Sequence, residues 1–304
     1  MRVTISLMGR FHAFNLAHEL ERQGHLERLI TSYPRFETVK YGVSREHICS
    51  LLLNEILNRG WRQAPDLLKA HYNAQYLLHE LFDRRAARHL PPQPELVVGW
   101  SSYALHTLRR ARELGAKTVL DHGSGHIVAQ DEILREEYSR LGWRGQEFAH
   151  PKIIDKELQE YREAEAIVVP SQFSRETFVS RGVPAAKLLL APYGVNLGNF
   201  YPVGKADKTF RVIHCGQISL RKGVHYLLQA FTELKLPGAE LWLIGSLTEE
   251  FRPLLPRFAS ANIRHLGPFP EPELHKYYSQ GSVFCLNSIE DGFGMVLVQA
   301  MACG

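Results

Sequence analysis

The chain has 304 residues, more than one hydrophobic core ordinarily serves, which points to two domains. At 45% hydrophobic, 10% aromatic and 22% charged residues, the composition is that of a globular protein and excludes collagen-like, disordered and disulfide-stapled chains. The formal charge of +4 falls short of the clustered positive charge of a nucleic-acid binder, so no nucleic-acid partner is expected, while phosphate-bearing substrates or an anionic membrane face would suit it.

In chain order, apolar and β-branched runs predict strands at 2–7, 28–32, 95–100, 117–121, 166–170, 187–191, 210–215, 239–245, 262–266 and 282–287. Helical spacing predicts helices at 12–23, 65–90, 104–114, 155–164, 172–181, 223–235, 248–259 and 271–280. Such alternation implies an α/β protein with parallel sheets and crossover helices. Asn199–Lys208, with Pro202 and Gly204, reads as the linker, giving domains at 1–204 and 205–304. The last residues, Ala300-Met301-Ala302-Cys303-Gly304, read as a helix end with a glycine cap, where an α/β domain would normally continue. The second domain is therefore read as truncated.

The N-terminus runs straight into Val3-Thr4-Ile5-Ser6-Leu7 without an apolar signal region, and no apolar run approaches the roughly 18 residues of a membrane span. Cys49, Cys215, Cys285 and Cys303 form no C-x-x-C pair and read as free thiols in a reducing cytosol, so a cytoplasmic location is expected.

In open parallel sheets, ligands bind at the carboxyl ends of strands. Four such loops carry unusual residues: Gly9-Arg10-Phe11-His12, Asp121 to His126, Gly216 to Gly223, and Glu290 to Met295. The Gly216–Gly223 loop brings Arg221 and Lys222 to a helix start, which suits an anion, although a plain turn with a solvated basic pair reads equally well. It is not a Walker A loop. Gly292-Phe293-Gly294 leads into a helix at Met295 and aims free backbone N–H groups at whatever lies beyond. Asp291 there can bind sugar hydroxyls or merely cap the helix, and Gln299, two turns on, can reach a ribose. His122 and His126 are four apart, but glycines separate them and no third ligand is evident, so no metal site is expected. No D-x-D pair, nicotinamide fingerprint or G-x-S-x-G elbow is present.

Together these residues resemble the family-4 retaining glycosyltransferases of the GT-B fold, the glycosyl transferases group 1. Pro170-Ser171-Gln172-Phe173-Ser174, Gly182-Val183-Pro184 and Pro192-Tyr193-Gly194-Val195-Asn196 look like that family's passage between its domains. Gly216 through Gly223 is similar to its diphosphate loop, and Asp291-Gly292-Phe293-Gly294 through Gln299 to its two-carboxylate donor motif. The resemblance covers about residue 95 to the end. The family usually has arginine where Gln217 stands, glutamate where Arg221 stands, and glutamates where Asp291 and Gln299 stand.

The resemblance implies two Rossmann-like doubly wound domains facing a cleft, acceptor-side at 1–204 and donor-side at 205–304. It implies transfer of a sugar from a nucleotide-diphosphate sugar to a hydroxyl acceptor with retention, in polysaccharide or glycolipid synthesis, without a metal or other cofactor. His122, Lys222 and Asp291 take the catalytic roles: His122 orients a sugar hydroxyl, Lys222 stabilises the leaving diphosphate, and Asp291 holds the donor sugar. Gly9, Gly216, Gln217, Arg221, Lys222, Gly292, Phe293, Gly294, Met295 and Gln299 form the donor-binding set. The acceptor is a sugar or a lipid-linked sugar. For the leucine-bearing segment from Ile48 to Leu57, peripheral contact with the inner face of a membrane competes with a core-facing stripe. A sugar-nucleotide epimerase and a non-catalytic nucleotide-sugar-binding protein are the rival readings.

Overall fold

The structure is a computed structural model and describes residues 1–64, 74–143 and 148–304. The predicted α/β class is correct. The chain divides into two compact units, Met1–Val128 with Glu147–Ala191, and Ala129–Gln146 with Pro192–Gly304.

In the first unit, strands β1 (Val3–Leu7), β2 (Leu26–Thr31), β3 (Ile48–Ser50), β4 (Leu96–Trp100), β5 (Lys117–Asp121), β6 (Ala166–Val169) and β7 (Leu188–Leu190) build a parallel sheet in the order β3-β2-β1-β4-β5-β6-β7. Every residue of β1 is buried, as expected of a strand covered by helices on both faces. The strand order reverses between β1 and β4, so the crevice for a ligand lies at the loops that follow those strands. The helices are α1 (Ala13–Arg22), α2 (Arg35–Thr38), α3 (Leu52–Arg62), α4 (Gln75–Arg88), α5 (Leu105–Glu113), α6 (Ile127–Arg140), α7 (Pro151–Glu163) and α8 (Gln172–Ser180). All of α6 but its first two residues groups with the second unit.

In the second unit, β8 (Arg211–Cys215), β9 (Glu240–Ile244), β10 (Ile263–Gly267) and β11 (Val283–Phe284) form a parallel sheet in the order β10-β9-β8-β11, with α9 (Val224–Leu234), α10 (Leu274–Tyr278) and α11 (Met295–Ala302). Phe200 is buried in its core with Ile213, Cys215 and Tyr278, and the Val203 amide donates to Ser279 Oγ at 3.0 Å. These contacts fasten the stretch from Pro192 onward to the second unit, although the sequence places the boundary after Gly204.

Several elements differ from expectation. Residues 248–259 form turns and a short 3₁₀ segment, Leu255–Phe258, instead of an α-helix, because Pro253 and Pro256 remove two amide donors. Strand β3 and helix α6 were not predicted. Strand β11 is shorter than the run 282–287, and the first part of the helix expected at 65–90 lies outside the described residues.

Helix α3 is turned opposite to the core-facing reading. Asn54 and Glu55 are buried, while Leu52, Leu53, Ile56 and Leu57 are exposed. Arg85 donates to Asn54 Oδ1 at 2.7 Å, and Glu55 accepts from Ser32 at 3.0 Å and from Arg59 at 2.8 Å. Polar groups hold the inner face through these bonds, and the leucines point outward.

A buried ion cluster anchors the start of α5. Asp83 accepts from the amides of His106 and Thr107 at 2.9 Å each, and Glu160 accepts from those of Ala104 and Leu105 at 2.9 and 3.1 Å. Carboxylates from two other helices thus cap a helix whose own N-cap, Ala104, has no side-chain acceptor. The Lys156 ammonium lies 2.8 Å from both Glu80 and Asp83. Burial raises the Glu80 carboxyl, but the hydrogen bond and charge of Lys156, joined by His106, outweigh it and hold Glu80 at about 2. Lys156→Met should leave the buried Asp83 without a cation and Glu80 with Arg84 alone, and lower the unfolding free energy at pH 7 by about 3–5 kcal/mol in a urea titration. Because the folded Glu80 value lies below its ordinary 4.5, its contribution is complete above that pH and is lost as pH falls toward about 2. The wild type should lose that stability between pH 4.5 and 2, and Lys156→Met should lose less of it over the same range.

Candidate functional site

In the second sheet the order reverses at β8, between β9 and β11, so the loops after β8 and β11 form its ligand crevice. The sequence brings them together by close backbone approach. Gly216 leaves β8 at φ +144°, and its amide donates to the Ile244 carbonyl at 2.8 Å. A Cβ on Gly245 would lie 1.8 Å from the Gly216 carbonyl oxygen. Gly223, at φ +63°, opens α9; a Cβ there would meet the Asn287 carbonyl oxygen at 2.0 Å. The Asn287 side-chain amide donates to the Gly223 carbonyl, and the Ile289 amide donates to the Arg221 carbonyl at 2.9 Å. The two loops are therefore stitched together along their backbones.

Two ion pairs cross this seam. Lys222 Nζ lies 2.5 Å from Asp291 Oδ2, with both side chains about one-fifth exposed. Arg221 Nη2 lies 2.8 Å from Glu290 Oε2, and Glu290 is fully buried. Beneath them His214 is buried on β8. Burial, opposed by the Cys285 carbonyl and aided by the charge of Lys222, pushes its imidazole down to about 4, so it is neutral at physiological pH. A partly exposed lysine beside a carboxylate, at the start of a helix, is a site where an anion can take the carboxylate's place.

Gly216, Gln217, Arg221, Lys222, Asp291, Gly292, Phe293, Gly294 and Met295 all lie in these two loops or directly at their ends, and Gln217 is exposed. Gln299 lies on α11 and is buried, its Oε1 accepting from the Tyr278 hydroxyl at 3.0 Å. Gly9 and His122 belong to the first unit. Gly9 follows β1 at φ +102°, and its amide donates to Ser32 Oγ at 3.0 Å. The His122 ring is buried, edge-on to Tyr161 and Phe178, and its Nε2 donates to the Gly125 carbonyl at 2.9 Å.

Sequence reasoning passed over two features. His12, after β1, lies over Trp100 and donates through Nε2 to Asp121 Oδ2 at 3.2 Å, at the strand ends of the first unit. Both flanking loops had been marked, yet no short-range signal joins residues 109 positions apart. Glu290 opens the fourth of the loops singled out in the sequence, and its complete burial is invisible there. Among the described residues, Glu80, Asp83 and His106 have the donor types and closeness of a metal site, but Lys156 already supplies the cation for the two acids.

Residues 199–304 match the family described as Glycosyl transferases group 1. The chain is 26% identical over 129 residues to a probable sucrose-phosphate synthase of Thermosipho melanesiensis, covering 38% of this chain and 30% of that protein. It is 28% identical over 177 residues to a D-inositol 3-phosphate glycosyltransferase of Pseudarthrobacter chlorophenolicus, covering 51% and 42%. These matches span less than half the length of either relative. Among solved structures, Anabaena HepE in complex with UDP superposes with a TM-score of 0.64 at 14% identity, over 100% of this chain and 79% of that one. The match to the glycosyl transferases group 1 is confined to the C-terminal third of the chain, and its two parallel sheets are those of the GT-B fold.

Proposed function

We propose that the chain is a retaining hexosyltransferase that moves a sugar from a nucleotide-diphosphate sugar to a hydroxyl acceptor, in polysaccharide or glycolipid synthesis. The observation that carries this reading is the Lys222–Asp291 pair at the strand-order reversal of the second sheet. The names of both curated relatives describe sugar-transfer or sugar-phosphate-forming enzymes, and HepE binds UDP, which makes a UDP-sugar the first donor to try.

In this reading the donor diphosphate takes the Lys222 ammonium from Asp291. The freed Asp291 carboxylate then accepts from hydroxyls of the donor sugar. As the bond between the anomeric carbon and the β-phosphate oxygen breaks, that oxygen gains charge, and Lys222 and the amides at the start of α11 stabilise it. The acceptor oxygen bonds to the anomeric carbon on the face the phosphate leaves. Bonding on that face gives retention, and the acceptor proton passes to the departing phosphate. The diphosphate charge is met by Lys222 and Arg221 without a metal. Gln299 would meet the ribose through its amide, since its carbonyl is bonded to Tyr278. A sugar-hydroxyl contact by His122 would use Nδ1, because Nε2 is bonded to Gly125.

Among the described residues, no helix is long and apolar enough to cross a membrane. We place the reaction in the cytoplasm, which suits the four free cysteines, with docking on the inner face of an anionic bilayer. The support for docking is α3, whose outward Leu52, Leu53, Ile56 and Leu57 are followed by Arg59 and Arg62 in the last turn. An acceptor carried on a lipid would be met there.

A thermal-shift panel of UDP-, GDP- and ADP-sugars, with and without EDTA, tests the donor reading. One sugar nucleotide should stabilise the protein, and the shift should survive EDTA. In a transfer assay Lys222→Ala should lower turnover about 10²–10³-fold, and wild-type turnover in that variant would sink the leaving-group role. The product should keep the donor's anomeric configuration. Consumption of donor without any acceptor would instead favour an epimerase. For docking, the protein should co-sediment with vesicles containing anionic lipid at low salt, and Leu53→Asp with Ile56→Asp should abolish this at unchanged melting temperature.

A further inference from the structure

Arg221 is held from beneath. Its Nη2 and Nε donate to a single oxygen, Glu290 Oε2, at 2.8 and 3.2 Å. The same oxygen accepts from the Gln130 side-chain amide at 2.8 Å. A buried carboxylate oxygen needs donors, and here three converge on one atom. The guanidinium has five N–H donors in a rigid fork, and Glu290 engages one edge, leaving donors on a side chain that is 37% exposed.

Gln130 comes from α6, which lies between β5 and β6 in sequence yet groups with the second unit. The same helix reaches the phosphate loop at two further points. Glu137 Oε1 lies 3.1 Å from His225 Nε2, on the first turn of α9. The Tyr138 hydroxyl donates to Glu250 Oε1 at 2.8 Å, and that oxygen accepts from the Leu220 amide at 3.4 Å. The loop is thus supported before Arg221, beneath it and after it by one helix.

The two cations of the loop differ in kind. Lys222 is paired across a partly exposed contact that an anion can open. Arg221 is paired with an acid so buried that the pair survives when an anion arrives on the outer edge. We propose that Gln130 and Glu290 are positioning residues for recognition of the donor's diphosphate: they fix the inner edge of Arg221 so that its outer edge forms the second phosphate contact beside Lys222. This rests on the nucleotide-sugar reading above and deepens it by assigning α6 to the donor site.

The test compares nucleoside diphosphates with monophosphates. Binding of UDP, UMP, GDP, GMP, ADP and AMP is measured by calorimetry for the wild type, Gln130→Met and Glu290→Gln, with melting temperatures alongside. The wild type should prefer the diphosphate of its nucleotide. In Gln130→Met that preference should fall about tenfold, the scale of one hydrogen bond to a charged group, while monophosphate binding and melting temperature stay near wild type. Glu290→Gln should show the same selective loss. If it fails to fold, Gln130→Met carries the test alone. Equal weakening of mono- and diphosphate, or an unchanged preference, overturns the positioning role and leaves the donor reading standing. A wild type that binds none of the six overturns both.

Discussion

The approach of two backbones at Gly223 and Asn287 is the constraint on which the second unit's crevice depends. The left-handed φ of Gly223 and the 2.0 Å that a Cβ would leave to the Asn287 carbonyl exclude any side chain there. With that contact closed, the Arg221 carbonyl receives the Ile289 amide, and the side chains on either side of the seam fall opposite one another: Lys222 against Asp291, Arg221 against Glu290. Glycine acts here as a spacer that sets the register of charges.

Both units use buried acids, for different ends. In the first, Asp83 and Glu160 saturate the free amides at the start of α5, and Lys156 balances the charge, so the cluster makes a helix terminus rigid. In the second, Glu290 uses its charge to orient a cation that is itself partly exposed. The cation of the first cluster is itself buried among the acids it balances. The second leaves donors facing outward, which is the difference between a structural ion pair and one that can serve a ligand.

Helix α3 shows a third use of polarity. Its buried face is polar, with Asn54 Oδ1 and Glu55 bonded to other elements, so the fold gains specific hydrogen bonds there and gives up burial of four large apolar side chains. An inverted face of this kind has a cost in water that contact with an apolar surface would relieve.

By itself the sequence determined the α/β class, most strands, and the loops that bear Gly216–Gly223 and Asp291–Gly294, because buried parallel strands are continuous apolar runs and glycine marks the tight backbone positions. It did not reveal β3, a three-residue edge strand too short for a periodic signal, nor α6, whose Gln130, Glu137 and Tyr138 bond to Glu290, His225 and Glu250 where an apolar stripe would otherwise run. It misread 248–259, where two prolines outweigh helical spacing. Only the tertiary structure decided which face of α3 turns outward, that Phe200 belongs to the second core, that His12 meets Asp121, and that Gln130 and Glu290 sit behind Arg221. Each of these joins residues distant in sequence or depends on burial, and neither distance in space nor burial is written in local residue spacing.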